Sequence, residues 1–209
     1  MEKFLGIPKE KQNQIIEAAL TAFGRNGYKK ASISDIAVAA GISKAMVFYY
    51  FGSKKELYLY LAKLCSSVVM SEISEHFNTA IDDFFDRLKM VSEIKMSALK
   101  KYHGILSFLE SMYKEKDEEI AEHVKKFMSA NQHAAQSLAL DRVDTSKFKD
   151  GIDAQLVFKF LLLAAQGFVH ELPPDYEFKV IDKFVDDYYA LLDIMKNNFY
   201  KEEYLYDYK

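Results

Sequence analysis

The 209-residue sequence predicts an all-α protein, and three observations support that fold class. Only three prolines and eight glycines are present, which leaves little material for strand turns or long loops. Apolar residues recur at spacings of three and four, as on one face of a helix, and no strand-like alternation appears in the first 75 residues. Half of the residues are hydrophobic and 28% are charged, which is typical of a folded globular chain.

The first helix is predicted to begin at Pro8 and to end at Gly27. Proline suits the first position of a helix, because its fixed φ angle is helical and an N–H group would have no helical partner there. Ile16, Leu20 and Phe23 follow at spacings of four and three and form one apolar face. Glycine commonly follows the last residue of a helix.

Two short helices come next, and each has a serine at its N-cap position. Ser32, with Asp35 three residues later, begins a second helix that Gly41 closes. Ser43 begins a third helix, which runs from Lys44 to Phe51.

The rest of the chain is predicted to be helical as well. Gly52 ends the third helix, and Ser53 with Glu56 forms a capping box for a long fourth helix. The apolar face of the fourth helix carries Leu57, Leu61, Leu64 and Val68. Further helices are predicted at roughly 79–101, 104–114, 117–139, 152–171 and 175–203, with a loop at Asp141 to Asp150 and a turn at Pro173-Pro174.

The second and third helices have the spacing of a helix-turn-helix. They are joined through Gly41-Ile42-Ser43, and Ala37, four residues before the turn glycine, is small enough to let the helices approach each other. In such a unit the third helix can lie in the major groove of DNA. Residues 1–65 carry ten Lys/Arg and five Asp/Glu, whereas the remainder carries 18 and 26, which favours a polyanion as the partner of the N-terminal third.

A longer pattern surrounds this motif and makes it more specific. Its residues are Phe23, Gly27-Tyr28, Asp35-Ile36-Ala37, Ala40-Gly41, Ser43-Lys44, Tyr50-Phe51 and Ser53-Lys54-x-Glu56-Leu57. With them, the run from Ile16 to Leu61, about a quarter of the chain, resembles the DNA-binding domain of the TetR family of bacterial transcriptional regulators. The resemblance implies a helix-turn-helix DNA-binding domain of three helices, residues 1–53, joined by a long helix to a helical effector-binding and dimerisation domain, residues 54–209.

The resemblance also implies a cytoplasmic regulator of transcription, a repressor that a small apolar or amphipathic ligand releases from its operator. It implies a homodimer on an inverted repeat in double-stranded DNA, because two-fold symmetry presents two reading helices. Two alternatives stay open. One is a regulator of the same fold that is controlled by a protein partner or has no effector, and the other is a helical ligand-binding protein or enzyme with an incidental helix-turn-helix.

The third helix supplies the predicted base contacts. Lys44 is the first candidate for direct readout, because lysine can donate to guanine O6 and N7. Met46 and Phe48 would suit a thymine methyl group. The family often has Gly-Thr where this chain has Ala45-Met46, and tyrosine where it has Phe48. These differences remove hydroxyl groups, so the operator sequence cannot be carried over from the family.

Four further residues are predicted to contact the sugar or phosphate of the DNA. The resemblance places Tyr49 and Tyr50 there. Ser34 and Lys54 stand at the starts of the second and fourth helices, and helix N-termini favour anions.

Structural roles stay open as alternatives for three of these residues. Phe48 could be a partly buried packing residue, Tyr50 a phenol at the edge of the core, and Lys54 a solvated surface charge. Val47 and Phe51, which are four apart, are expected to face the core.

The last two main helices are predicted to form a dimer interface. The helix at 152–171 is apolar on nearly all sides and the last helix has a broad apolar surface, so both need cover. A second subunit is the simplest cover, and the resemblance implies the same; a thick monomer core is the alternative. The predicted interface residues are Leu156, Phe160, Leu163, Phe184, Tyr188 and Leu191.

The middle helices combine apolar, flexible and polar residues, as small-molecule sites do. The resemblance implies an effector pocket in this part of the chain. Its predicted residues are Phe85, Leu88, Met96, His103, Met112, Tyr113, Phe127, Asn131, Gln166 and His170. For the polar ones, an ordinary surface or satisfied core position is the alternative.

Other function classes have weak support in the sequence. The single cysteine, Cys65, is expected to pack in the core, and the longest apolar run, Phe160 to Val169, is too short to cross a membrane. Ser97 to Lys100 matches S-x-x-K without the partner motifs of that enzyme class. His123 and His133 are ten apart and suggest no metal pair. We therefore expect no enzyme activity, cofactor, metal or membrane association.

Overall fold

The computed structural model of the chain describes residues 2–171 and 178–205, apart from the side chains of residues 169–171, 178 and 179. Within these ranges every regular element is helical, and one isolated bridge joins Phe148 and Tyr200, so the predicted all-α class is confirmed. The helices are α1 Glu2–Leu5, α2 Lys9–Lys30, α3 Ile33–Ala39, α4 Lys44–Phe51, α5 Lys54–His76, α6 Phe84–Leu99, α7 Ile105–Lys114, α8 Ala121–Leu140, α9 Ala154–Glu171 and α10 Phe178–Phe199, with 3-10 turns at Thr145–Lys147 and Glu202–Tyr204.

The helix boundaries agree with the sequence where a capping serine is present. Ser32 Oγ accepts from Asp35 N at 3.3 Å and Ser43 Oγ accepts from Met46 N at 3.2 Å. Ser53 Oγ accepts from the N–H group of the residue three positions later at 3.1 Å. These bonds satisfy N–H groups that have no partner inside the helix. The predicted starts of α3, α4 and α5 are therefore confirmed.

Several elements differ from the prediction. The helix predicted from residue 117 begins at Ala121, and the helix predicted to end at residue 203 ends at Phe199. The helix predicted from residue 79 begins at Phe84, because Asp83 Oδ1 accepts from the backbone N–H groups of Phe85 and Asp86 at 3.0 and 3.1 Å and caps it there. The helix α1 was not predicted. Regular dihedrals of α2 are interrupted at Gly27, as predicted, but a last turn continues to Lys30.

The described helices divide into two compact units. The first contains residues 1–72 and 96–131, and the second contains residues 73–95 and 132–209. This structural division does not coincide with the boundary at residues 53/54, which stays a prediction about the division of function.

In the first unit, α7 packs closely against α2 through two glycines. A Cβ atom on Gly24 would lie 2.5 Å from Ser107 Oγ and 3.0 Å from Phe108 N, and one on Gly104 would lie 2.7 Å from Leu20 Cβ. Glu17 also accepts from Gly104 N at 3.3 Å. The residues that hold the helix-turn-helix and those of α7 therefore share one core.

The second unit has an aromatic core of its own. Phe84, Phe85, Phe148 and Tyr200 are buried together, and Tyr200 Oη accepts from Phe84 N at 3.1 Å. The buried guanidinium group of Arg87 donates through Nε to the carbonyl oxygen of Ile81 at 2.9 Å. No helix in the described ranges is long and apolar enough by itself to cross a membrane; α3 and α4 meet that composition as a bent pair.

Candidate DNA-binding surface

The axes of α3 and α4 are inclined by 103°, and a tight turn joins the two helices. Gly41 adopts a φ of +62°, a conformation that glycine enters without steric cost. Lys11 Nζ donates to the carbonyl oxygens of Ala40 at 2.9 Å and Gly41 at 3.2 Å. A cation at the C-terminal end of a helix complements its unsatisfied carbonyl groups. Sequence analysis missed this role of Lys11, because the contact spans 29 positions.

One face of α4 packs into the first core. Val47 and Phe51 are buried there, as predicted. Tyr50 is also buried, with 7% of its surface exposed, and its ring lies 5.9 Å from that of Phe4 in an edge arrangement. The prediction of Tyr50 as a DNA contact is therefore corrected to core packing. Since Tyr50 is three residues after Val47, helical spacing alone already places both on one face.

The opposite face of α4 is exposed. Lys44 and Ala45 are exposed in its first turn, and Phe48 and Tyr49 follow one turn later with 39% and 55% of their surfaces exposed. Met46 is half-buried and packs against the first core, so less of its side chain is available to a partner. Besides the buried Tyr50, the α4 residues predicted to contact DNA thus fall into two groups. Met46 lies beside the exposed face, and four residues lie on it: Lys44, Ala45, Phe48 and Tyr49.

The two residues predicted at phosphates lie at helix starts. Ser34 is exposed in the first turn of α3. Lys54, the first residue of α5, is half-buried: its Nζ donates to the carbonyl oxygen of Lys29 at 3.1 Å and lies 4.8 Å from the centre of the Tyr28 ring. Burial lowers the pKa of Lys54, although carboxylates including Asp117 oppose that effect. Since an ammonium group has three donors, this hydrogen bond leaves donors for another acceptor.

An acidic loop after α7 holds the end of α2 beside Lys54. Glu115 Oε2 accepts from Tyr28 N at 2.8 Å, and Glu119 Oε2 accepts from Tyr28 Oη at 2.7 Å. Burial, and then the bond to Glu119, raise the pKa of the Tyr28 hydroxyl. Sequence reasoning missed these contacts, which join residues 87 and 91 positions apart. The acidic run after α7 is the signal that was available.

In the second unit, α9 and α10 expose apolar side chains where a dimer interface was predicted. Phe160 is 62% exposed, and Leu156, Leu163 and Leu191 are exposed as well. A cavity of about 500 Å³ lies along this face and is lined by residues that include Leu156, Phe160, Leu191 and Met195. Phe184 is half-buried and stacks on Phe168, and Tyr188 is half-buried against the second core.

The predicted effector residues divide between the two units. His103 and Tyr113 are exposed, and their place in an effector pocket stays a prediction. Met112 and Leu88 are buried in the first and second cores respectively. Phe127 packs on the first core, and Asn131 Oδ1 accepts from Ser66 Oγ at 3.1 Å. Met96 and Gln166 are half-buried. The side chain of His170 lies outside the described residues.

Phe85 lines a cleft of about 790 Å³ in the second unit. Its other apolar lining residues include Ile81, Met90, Leu192 and Leu205. Charged side chains lie at the same cleft, among them Asp86, Lys89, Glu93, Asp193 and Lys196. Burial opposes the charged form of Lys196, but bonds to Asp86 and Asp83 raise its pKa overall. An apolar floor beside fixed charges suits an amphipathic molecule.

In helix-turn-helix DNA-binding proteins, the second helix of the unit presents an exposed face to the major groove. Here α4 presents such a face, which carries a cation and two aromatic rings. Comparison with known sequences supports this class. The family profile described as bacterial regulatory proteins, tetR family, matches residues 15–61. The fatty acid metabolism regulator protein of Bacillus subtilis (strain 168) is 20% identical over 148 residues, which are 71% of this chain and 76% of that protein.

Two further comparisons agree. The biofilm operon icaADBC HTH-type negative transcriptional regulator IcaR of Staphylococcus aureus (strain Newman) is 29% identical over 96 residues, 44% of this chain and 51% of that protein. The crystal structure of the transcriptional regulator FadR from Bacillus subtilis in complex with stearoyl-CoA shares the fold, with a TM-score of 0.63 and 17% identity over 86% of this chain and 96% of that one. Residues 15–61 thus match the TetR family, and the matched relatives support a transcriptional regulator of the TetR type.

Proposed function

We propose that the protein is a repressor that binds an inverted repeat in double-stranded DNA as a homodimer. The observation that carries the proposal is the exposed face of α4, where Lys44, Ala45, Phe48 and Tyr49 are presented while Val47 packs inside. An exposed row of this kind on the second helix of a helix-turn-helix fits the major groove.

In this proposal the exposed residues have separate roles. Lys44 donates to guanine O6 and N7, and Phe48, with Ala45 and the exposed part of Met46, contacts thymine methyl groups. Tyr49 contacts the sugar-phosphate backbone of the DNA.

Ser34 and Lys54 bind phosphates at the starts of α3 and α5, where N–H groups favour anions. Lys54 approaches the DNA from a fixed position, because Lys29 and Tyr28 hold its ammonium group.

The dimer is proposed to form through α9 and α10. Leu156, Phe160 and Leu163 follow one another at helical spacing and are exposed, together with Leu191 on α10. Exposed apolar side chains in a row favour burial against a second copy of the same surface. The same symmetry would present two copies of α4 to an inverted repeat.

Repression is proposed because the matched IcaR protein is a negative regulator by name. A reporter gene placed behind an operator that the protein selects from random duplex DNA tests the direction of control. Expression that falls when the protein is supplied supports repression, and expression that rises contradicts it.

An amphipathic effector is proposed because a structural relative is described in complex with stearoyl-CoA. The cleft beside Phe85 is the candidate site, since Met90 and Leu192 offer apolar contact and Lys89 and Lys196 offer positive charge. Stearoyl-CoA should release the protein from DNA, whereas coenzyme A, which lacks the acyl chain, should not. The variant Lys89→Glu should require more stearoyl-CoA and bind DNA as before.

The outcome of that titration separates the candidate mechanisms of control. No release by stearoyl-CoA or by other acyl thioesters would contradict this class of effector. It would favour control by a protein partner or regulation without an effector.

The DNA-binding proposal is tested by selecting from a pool of random duplex DNA with the wild-type protein. We expect enrichment of an inverted repeat with two half-sites a helical turn or more apart. Recovery of sequences with no common element after several rounds would contradict sequence-specific binding.

A further inference from the structure

The short helix α1, which sequence analysis did not predict, is fixed beside the reading helix by a buried ring. Phe4 is fully buried in the first core. Its ring lies 4.7 Å from that of Phe51 and 5.6 Å from that of Tyr60, between α4 and α5. Two aromatic partners of this kind on different helices determine where α1 lies relative to α4.

A second attachment joins α1 to α2. Gln12, a buried residue of α2, donates through Nε2 to the carbonyl oxygens of Leu5 at 3.1 Å and Ile7 at 2.8 Å. Gly6 N donates to the carbonyl oxygen of Glu2 at 3.0 Å and closes the turn of α1. These bonds satisfy backbone oxygens at the end of α1. The helix is therefore held on two sides.

This attachment places Lys3 at the exposed face of α4. Lys3 is exposed, and its Nζ lies 4.0 Å from the centre of the Tyr49 ring. Among the described residues, no carboxylate lies within ion-pair distance of the Lys3 ammonium group. Within the described ranges the positive charge therefore has no paired anion, and it lies beside a residue proposed to contact the DNA backbone.

We propose that Lys3 binds a phosphate of the operator next to the contact of Tyr49, so that α1 forms part of the DNA-binding surface. This proposal rests on the proposed function. The Tyr49 ring attracts the ammonium group from one side through a cation–π interaction, and the group still has its three donors for phosphate oxygens. Because Phe4 and Gln12 already fix α1, little conformational freedom is lost when Lys3 meets the DNA.

The experiment measures DNA affinity against salt concentration for three variants on the selected operator. Lys3→Gln removes the charge, and Lys3→Arg keeps it. Lys125→Gln is the control, since Lys125 is an exposed lysine of α8. Removal of one phosphate contact should lower the slope of log affinity against log salt by about 1, and the affinity itself by about eightfold at 0.1 M salt.

We expect Lys3→Gln to lower the slope by about this amount for each Lys3 in the complex, and Lys3→Arg and Lys125→Gln to keep the wild-type slope. If the wild-type protein binds the operator and Lys3→Gln has the same salt slope as the wild type, the Lys3 proposal is overturned and the proposed function is not. A weaker affinity at an unchanged slope would mean that Lys3 only orients Tyr49, and would overturn it too. Wild-type protein that selects no DNA sequence would overturn the proposed function and this inference with it.

Discussion

The two units of the molecule both leave large apolar side chains exposed, but the surroundings of those side chains differ. In the first unit, Phe48 and Tyr49 are exposed on α4 with Lys44 on the same helix and Lys3 beside the tyrosine ring. In the second unit, α9 exposes a row of large apolar residues, of which Phe160 is more exposed than Leu156 and Leu163. Rings beside cations suit a polyanion, whereas a row of apolar side chains suits a second apolar surface.

The comparison shows why exposed hydrophobic residues must be considered together with their neighbours. Net charge separates the two regions in the same direction, since the N-terminal third is basic and the remainder acidic. A single count of exposed apolar residues would assign both faces the same role. The side chains beside them support the proposals of DNA as the partner of one face and a second copy of the chain as the partner of the other.

The largest effect is expected from a charge placed on the exposed apolar face of α9. Phe160→Glu should raise the dimer dissociation constant by about 100-fold or more, because a symmetric interface would bury two copies of the new carboxylate without a partner. Sedimentation should then give a monomer at micromolar concentration. The control Tyr113→Glu places the same charge on an exposed aromatic position of the first unit and should remain a dimer. A Phe160→Glu protein that stays dimeric would contradict the assigned interface.

The next prediction tests whether the first unit depends on the close approach of α2 and α7. Gly24→Ala should lower the free energy of unfolding by about 1–3 kcal/mol, because the added methyl group meets Ser107 Oγ and the backbone of Phe108. Gly167→Ala is the control, since a Cβ atom there meets nothing within 4 Å and alanine favours the helix. Urea unfolding gives both values. Equal stability of wild type and Gly24→Ala would show that α7 can move away at no cost.

The exposed face of α4 is tested through Lys44, the exposed cation of that helix. Lys44→Ala should cost about 1–3 kcal/mol in binding to the selected operator and should relax the preference at one base position. Lys44→Arg should keep that preference, because arginine also pairs with guanine. Binding measured on single-base variants of the operator resolves the position. An equal loss on every variant would instead assign Lys44 to a phosphate.

The smallest effect is expected at the edge of the reading face. Lys54→Ala should weaken binding to all sequences and lower the salt slope by about 1 for each Lys54 in the complex. Because burial lowers the pKa of Lys54, its charge is lost at a lower pH than that of an ordinary lysine. The difference between wild type and Lys54→Ala should therefore disappear as the pH rises. An unchanged slope at neutral pH would remove Lys54 from the phosphate contacts.

Local signals in the sequence were sufficient for much of the first unit. Ser32, Ser43 and Ser53 predicted the starts of three helices, because a capping bond joins residues only three positions apart. Helical spacing placed Val47 and Phe51 in the core, and both are buried. The match to the TetR family followed from the same stretch of chain.

Features fixed by distant contacts could not be predicted in the same way. The helix α1 is one turn long and has no periodicity, and its position depends on Phe4 meeting residues of α4 and α5. The exposure of Tyr113 follows from the packing of α7 on α2, which the sequence of α7 does not determine by itself. The cleft beside Phe85 joins residues more than 100 positions apart.

The central claim is that a dimer reads a defined DNA sequence with α4. The most direct test is the affinity of the wild-type protein for the selected inverted repeat and for a scrambled duplex of equal length and composition, at physiological salt. We predict binding to the inverted repeat at least about 10³-fold tighter than to the scrambled duplex. Equal affinity for the two duplexes at every salt concentration would contradict the claim.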